Sequence, residues 1–136
     1  MCFGTANFAR GYGVFKSRGF TNKKINQIFQ ILKKNKIKEI DTGITYKNVE
    51  KKLGKVNLDF FKIYTKLPKI PKQTKNIDLW IKDQIESSLS KIKIKNFEGI
   101  FMHHPEDLLK TKKNKIYNSL LDLKKNKKIK KIGLSL

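Results

Sequence analysis

Arginine and alanine are nearly missing from this chain. Of 32 basic residues only Arg10 and Arg18 are arginine, the other 30 being lysine, and Ala6 and Ala9 are the only alanines. Arginine forks are what read base edges. A net charge of +21 carried by lysines along the whole length therefore reads as a solvated basic surface, and nucleic-acid binding is the minor alternative. Lysine, isoleucine and asparagine standing in for alanine and arginine also looks like codon bias in an AT-rich genome. Cysteine is reduced to Cys2, which excludes an internal disulfide and fits a reducing compartment, so a cytoplasmic location is expected. No apolar run approaches the roughly 18 residues of a membrane helix, and no apolar segment of the signal-peptide kind follows Met1. What remains is 136 residues with a mean hydropathy of -0.54, a soluble chain long enough for one domain (1–136) with a real core.

Strand and helix patterns alternate along that length. Met1 to Thr5 reads as a short strand entering a turn at Gly4-Thr5-Ala6, and Gly11-Tyr12-Gly13 continues as loop. Thr21 or Asn22 caps a helix in which Ile25, Ile28, Phe29 and Leu32 form one stripe. Ile37 to Ile40 alternates like a strand, and Asn48, Glu50 and Leu53-Gly54 mark a short helix. Phe60 to Thr65 is aromatic and β-branched, a strand ending at Lys66 before the Pro68 and Pro71 loop. From Asn76, the spacing of Ile77, Ile81, Ile85, Leu89 and Ile92 predicts a long helix, with Asp78 and Asp83 in its N-terminal half. Phe97 to Met102 follows as a strand running into His103-His104-Pro105. Ile116, Leu120 and Leu123, flanked by Tyr117 and Leu121, mark the last helix, with Asn126 expected in the left-handed conformation at its end. Lys130 to Leu134 is the final strand.

The order β-α-β-α-β-α-β-α-β, without a tight hairpin, calls for parallel strands with helical crossovers. Asp41, Tyr46, Lys66 and His103 then all lie just beyond strand C-terminal ends, which a parallel sheet brings to one face. Each has an ordinary alternative. Asp41 is a plausible cap, Tyr46 a half-buried aromatic, Lys66 one lysine among many and His103 a loop histidine. Adjacent His103 and His104 suggest metal only if other ligands join them, and no cysteine or spaced carboxylate does.

Four separated motifs give the chain a resemblance to the aldo-keto reductase family: Gly4-Thr5-Ala6; Asp41-Thr42-x-x-x-Tyr46 with Glu50 and Leu53-Gly54; Thr65-Lys66; and His103-x-Pro105. Ile129 to Ser135 is similar to that family's fifth-strand signature. The resemblance implies a TIM (β/α)8-barrel of which about the first five strands and four helices are present, and the reduction of an aldehyde or ketone with NADPH or NADH. It places Asp41, Tyr46, Lys66 and His103 in catalysis, and Gly4, Thr5, Ala6 and Ser135 at the cofactor.

The chemistry fits those residue types. Hydride addition to a carbonyl leaves an alkoxide that needs a proton and charge stabilisation. Tyr46 is the expected acid. A phenol's reference pKa of about 10 is lowered by a nearby ammonium, which Lys66 supplies while paired with Asp41, and His103 orients the substrate oxygen. Gly43 stands where the family commonly has alanine, and Leu136 where many members have asparagine. A full barrel takes about 250 residues, so the expectation is a fragment, a truncated gene, or a half-barrel completed by self-association or a second chain. A catalytically inactive decayed barrel or binding module is the alternative function.

Overall fold

A computed structural model describes residues 1–9, 20–104, 106 and 113–135. Its strands are β1 (Cys2–Gly4), β2 (Glu39–Asp41), β3 (Lys62–Leu67), β4 (Phe97–Met102) and β5 (Ile129–Leu134), and its helices α1 (Asn22–Lys34), α2 (Val49–Leu53), α3 (Ile77–Ile92) and α4 (Lys113–Lys125). Each strand pairs in parallel with its successor, giving the spatial order β1-β2-β3-β4-β5. That order distinguishes two architectures. A doubly wound sheet reverses direction and covers both faces with helices, whereas right-handed crossovers that always step the same way put every helix on one face. The fold is therefore a partial (β/α) barrel. Among the described residues β1 and β5 are each paired along one edge only.

Strand alternation records which side the helices cover. On β3, Ile63, Thr65 and Leu67 are buried while Lys62, Tyr64 and Lys66 are exposed or half-buried. On β2, buried Ile40 lies between half-buried Glu39 and Asp41. The outward side chains join one core with the helix stripes: Ile25, Phe29 and Leu32 from α1, Ile77, Ile81, Ile85, Leu89 and Ile92 from α3, and Ile116, Leu120 and Leu123 from α4. Thr21 caps α1 by accepting the Lys24 amide, and Asn76 caps α3 by accepting that of Leu79. The inner face is levelled by glycine. A Cβ on Gly99 would lie 2.8 Å from the Tyr64 ring and one on Gly133 2.8 Å from the Phe101 ring, so each aromatic lies over a glycine of the next strand.

Several boundaries differ from the sequence reading. β3 begins at Lys62 because Phe60 and Phe61 are spent on packing, edge-on to each other at 5.2 Å, with Phe61 also against Phe29 at 5.0 Å. β2 starts at Glu39, since the Ile37 amide still donates to Leu32 O at the end of α1. Asn48 precedes α2 in the left-handed conformation, φ 61°, without a side-chain cap bond. After α4 the left-handed residue is Lys127, φ 57°, and not Asn126, whose amide still donates to Asp122 O. Lys36, φ 57°, and Lys93, φ 63°, likewise follow α1 and α3. Lysine thus holds three positions that favour glycine. The segment Gly11-Tyr12-Gly13, Pro105 and Leu136 lie outside the described residues.

Two expectations follow for stability. Because a left-handed side chain costs roughly 1–2 kcal/mol, part of which glycine returns as unfolded-state entropy, Lys93→Gly should stabilise by about 0.5–1 kcal/mol in urea unfolding; a loss would show that the Lys93 side chain holds the turn. Buried Glu98 accepts from Lys130 Nζ at 3.0 Å and Lys131 Nζ at 3.1 Å, and these bonds hold its carboxyl below the ordinary value. A lowered carboxylate contributes stability above its unfolded value and loses it as pH falls through the folded one. Glu98→Gln should accordingly lower Tm at neutral pH and flatten its decline below about pH 5, as read by thermal melts across acid pH.

Candidate functional site

Asp41 ends β2 directly opposite Tyr64 of β3, so its side chain points to the inner face two residues short of Lys66. Lys66 Nζ donates to both carboxylate oxygens, at 2.5 Å to Oδ1, and to Thr42 O at 3.3 Å. The lysine side chain is 12% exposed and the carboxylate 31%, so the cation is the more shielded partner and depends on the pair for its solvation. Main-chain bonds set the carboxylate's base. Thr5 donates both its amide, at 2.9 Å, and its hydroxyl, at 3.1 Å, to Asp41 O. The Thr42 amide donates to Tyr64 O, and that of Ile44 to Lys66 O at 3.4 Å, so the loop leaving β2 stays tied to β3.

Tyr46 is delivered by a turn in which its amide donates to Gly43 O at 3.0 Å. The half-buried ring folds back over Gly43, where a Cβ would stand 3.1 Å from its Cζ, and Lys66 Nζ lies 5.7 Å from the ring centroid. A side chain at position 43 would press on this ring at closer than ordinary contact. Asp41, Tyr46 and Lys66 form one cluster: an acid, an ammonium paired with it, and a phenol beside that ammonium.

The remaining expected residues lie at the same end of the sheet in different circumstances. His103 is half-buried just past β4, its amide donating to Leu67 O at 3.4 Å and its ring 5.4 Å from that of His104. His104 Nδ1 lies 3.1 Å from Glu106 Oε1, so that ring is engaged by its own loop. Ser135 is joined to the end of β4 through its amide, which donates to Met102 O at 3.0 Å. Ala6 opens a single 3-10 turn, Ala6–Phe8. Thr5 is fully buried, with amide and hydroxyl both given to Asp41, while Gly4 has open space where a side chain would stand.

Below this cluster an open cavity of about 610 Å³ is lined by Cys2, Gly4, Glu39, Asp41, Tyr64 and Phe101. Glu39, Tyr64 and Phe101 are read from sequence only as strand residues and not as part of a site, although Lys62, Tyr64 and Lys66 alternate on one strand and so share a face. The Tyr64 hydroxyl donates to Glu39 Oε1 at 3.3 Å, and burial together with that carboxylate pushes the phenol's pKa up. Burial, then Asp41 and Glu39, raise the Cys2 thiol as well.

Comparison with known proteins adds a family and a scale. A profile described as the Aldo/keto reductase family matches residues 1–136. Among solved structures the chain is similar to a candidate aldo-keto reductase from Pseudomonas aeruginosa, with a TM-score of 0.81 at 22% identity over 98% of this chain and 54% of that one. It is also similar to an aldo-keto reductase from Bacillus halodurans in its holo form, with a TM-score of 0.75 at 16% identity over 99% of this chain and 45% of that one. The chain therefore spans about half the length of these structures. No curated protein matches it.

The paired charges give a direct test. Lys66→Met removes a donor to a charged acceptor and should destabilise by about 1–3 kcal/mol. Asp41→Asn added to it should cost little more, because the partner is already gone. Strictly additive losses in a urea double-mutant cycle would show that the two are not coupled.

Proposed function

Since the chain belongs to the aldo-keto reductase family, we propose that it reduces the carbonyl of a small aldehyde or ketone with a nicotinamide cofactor, Tyr46 giving the proton. The observation that carries the reading is the Lys66 ammonium, held by Asp41 and standing beside the Tyr46 ring. As charge develops on the substrate oxygen, the phenol moves its proton there and the resulting phenolate is stabilised by Lys66. Asp41 keeps Lys66 in place. His103 at the end of β4 is the group assigned to orienting the substrate oxygen. The cofactor, when bound, supplies the hydride that reduces the carbonyl carbon.

Fit to that cofactor is supported by the open space at Gly4, whose missing side chain leaves backbone accessible beside Asp41. Gly4 and Ser135 are the residues proposed to hold it, with Ala6 nearby. Thr5 supports the site from beneath through Asp41 O. NADPH is the proposed form and NADH the alternative. Because the structures it matches are about twice as long, substrate, cofactor preference and turnover are all proposals for this chain. Among the described residues no helix is long and apolar enough to cross a membrane.

The test is NADPH consumption with an aromatic aldehyde as probe, beside NADPH binding by fluorescence. Tyr46→Phe should lower turnover by about 10²- to 10⁴-fold and leave NADPH binding unchanged. Equal turnover in Tyr46→Phe would remove Tyr46 as the acid. NADPH binding without any reduction by the unaltered chain would favour a binding module instead.

A further inference from the structure

We propose that Glu50 is a positioning residue for Tyr46, fixing the rotation of helix α2 and with it the placement of the phenol beside Lys66. The inference rests on the reading of Tyr46 as the proton donor and adds the device that aims it.

Helix α2 has five residues, too few to hold by hydrogen bonding alone. Its apolar anchors, Val49 and Leu53, are fully buried, but apolar contacts are non-directional and leave a short helix free to roll. Two polar ties remove that freedom. On one side Glu50, only 4% exposed, accepts from the Ser88 hydroxyl of α3 through Oε1, with Oε2 3.7 Å from Lys91 Nζ. On another, Lys52 Nζ donates to Phe8 O at 2.9 Å and Phe20 O at 3.0 Å. Residues two apart on a helix point about 200° away from each other, so the two ties pull from nearly opposite directions. Gly54 closes the joint, since a Cβ there would lie 2.2 Å from Lys91 O.

The other end of α2 is joined to the site. The Val49 amide donates to Tyr46 O at 3.1 Å, and the Tyr46 amide to Gly43 O at 3.0 Å. Rolling α2 would carry the Tyr46 main chain with it and lift the ring from Gly43. A neutral side chain would fill the Glu50 position at lower cost. Burial pushes this carboxyl's pKa up, against the opposing pull of Ser88 and Lys91. A raised carboxyl favours folding below its unfolded value, and that contribution is lost as pH rises through the folded one. An acid kept where ionisation is disfavoured suits a role in orientation better than one in stability.

The test uses the whole chain labelled with ¹³C at the tyrosine ring Cζ, the Tyr46 resonance being assigned by its loss in Tyr46→Phe. Glu50→Ala and Ser88→Ala should each move the Tyr46 resonance while leaving that of Tyr117 in place, and the double variant should move it no further. Glu50→Gln, which keeps an acceptor for Ser88, should hold the resonance and melt at or above the unaltered chain at pH 8. Should Glu50→Ala fail to fold, Ser88→Ala and Glu50→Gln decide the question. An unmoved Tyr46 resonance in a folded Ser88→Ala variant, or a Gln variant displaced as far as alanine, would overturn the proposal. Because the resonance is read without turnover, its failure is distinct from that of Tyr46 as an acid, which the reductase assay reports.

Discussion

Parallel pairing in chain order is the constraint from which most of this molecule follows. A strand whose successor lies beside it and points the same way must be re-entered from its far end, so each connection crosses the sheet as a helix. Every crossover steps in the same direction, so the helices share one face. The outer face is covered by a buried layer rich in isoleucine and leucine, while the inner one keeps the polar alternates Glu39, Asp41, Tyr64 and Lys66. The ends of the strands are likewise gathered on one side. Reactive groups far apart in sequence, such as Asp41 and Lys66, meet because they sit two residues apart in register, on the same face of adjacent strands.

Given that frame, the cluster of Asp41, Tyr46 and Lys66 is supported mostly by main chain. Thr5 holds Asp41 by its carbonyl, and the loop toward Tyr46 is stitched to β3 by successive amides. Side chains then add charge to a base that is already fixed. The lysine excess has little part in this. Lys66 and Lys52 are exceptions, drawn inward by specific acceptors, and Lys36, Lys93 and Lys127 occupy turns where composition has supplied lysine to a conformation that favours glycine.

Much of this was legible beforehand because it is periodic. The spacing of isoleucine and leucine in α3 marked every apolar member of its buried stripe but not buried Ser88, and Asn76 and Thr21 sit where side-chain caps are expected. The Asp41, Tyr46 and Lys66 cluster was legible only through the spacing of motifs, since each residue alone has an ordinary alternative. What was not legible depends on tertiary competition. Phe60 and Phe61 have strand-like chemistry, but Phe61 is claimed by Phe29 and Phe60 by Phe61. Glu50 reads as a first-turn acid and turns inward to Ser88. Alternation with Lys66 was enough to place Tyr64 on the cavity face, but Glu39 and Phe101 join it because of register, which one strand by itself cannot reveal.

The rings laid over glycines tie adjacent strands together in a further sense. Tyr64 needs the bare backbone of Gly99, and Phe101 that of Gly133, so neither member of a pair can enlarge alone. The effects of substitutions at positions 64 and 99, and at 101 and 133, are then coupled. A bulkier residue on one strand becomes acceptable once its neighbour has given up its ring, and the interior is free to drift in size-exchanging pairs while the strands themselves stay in place.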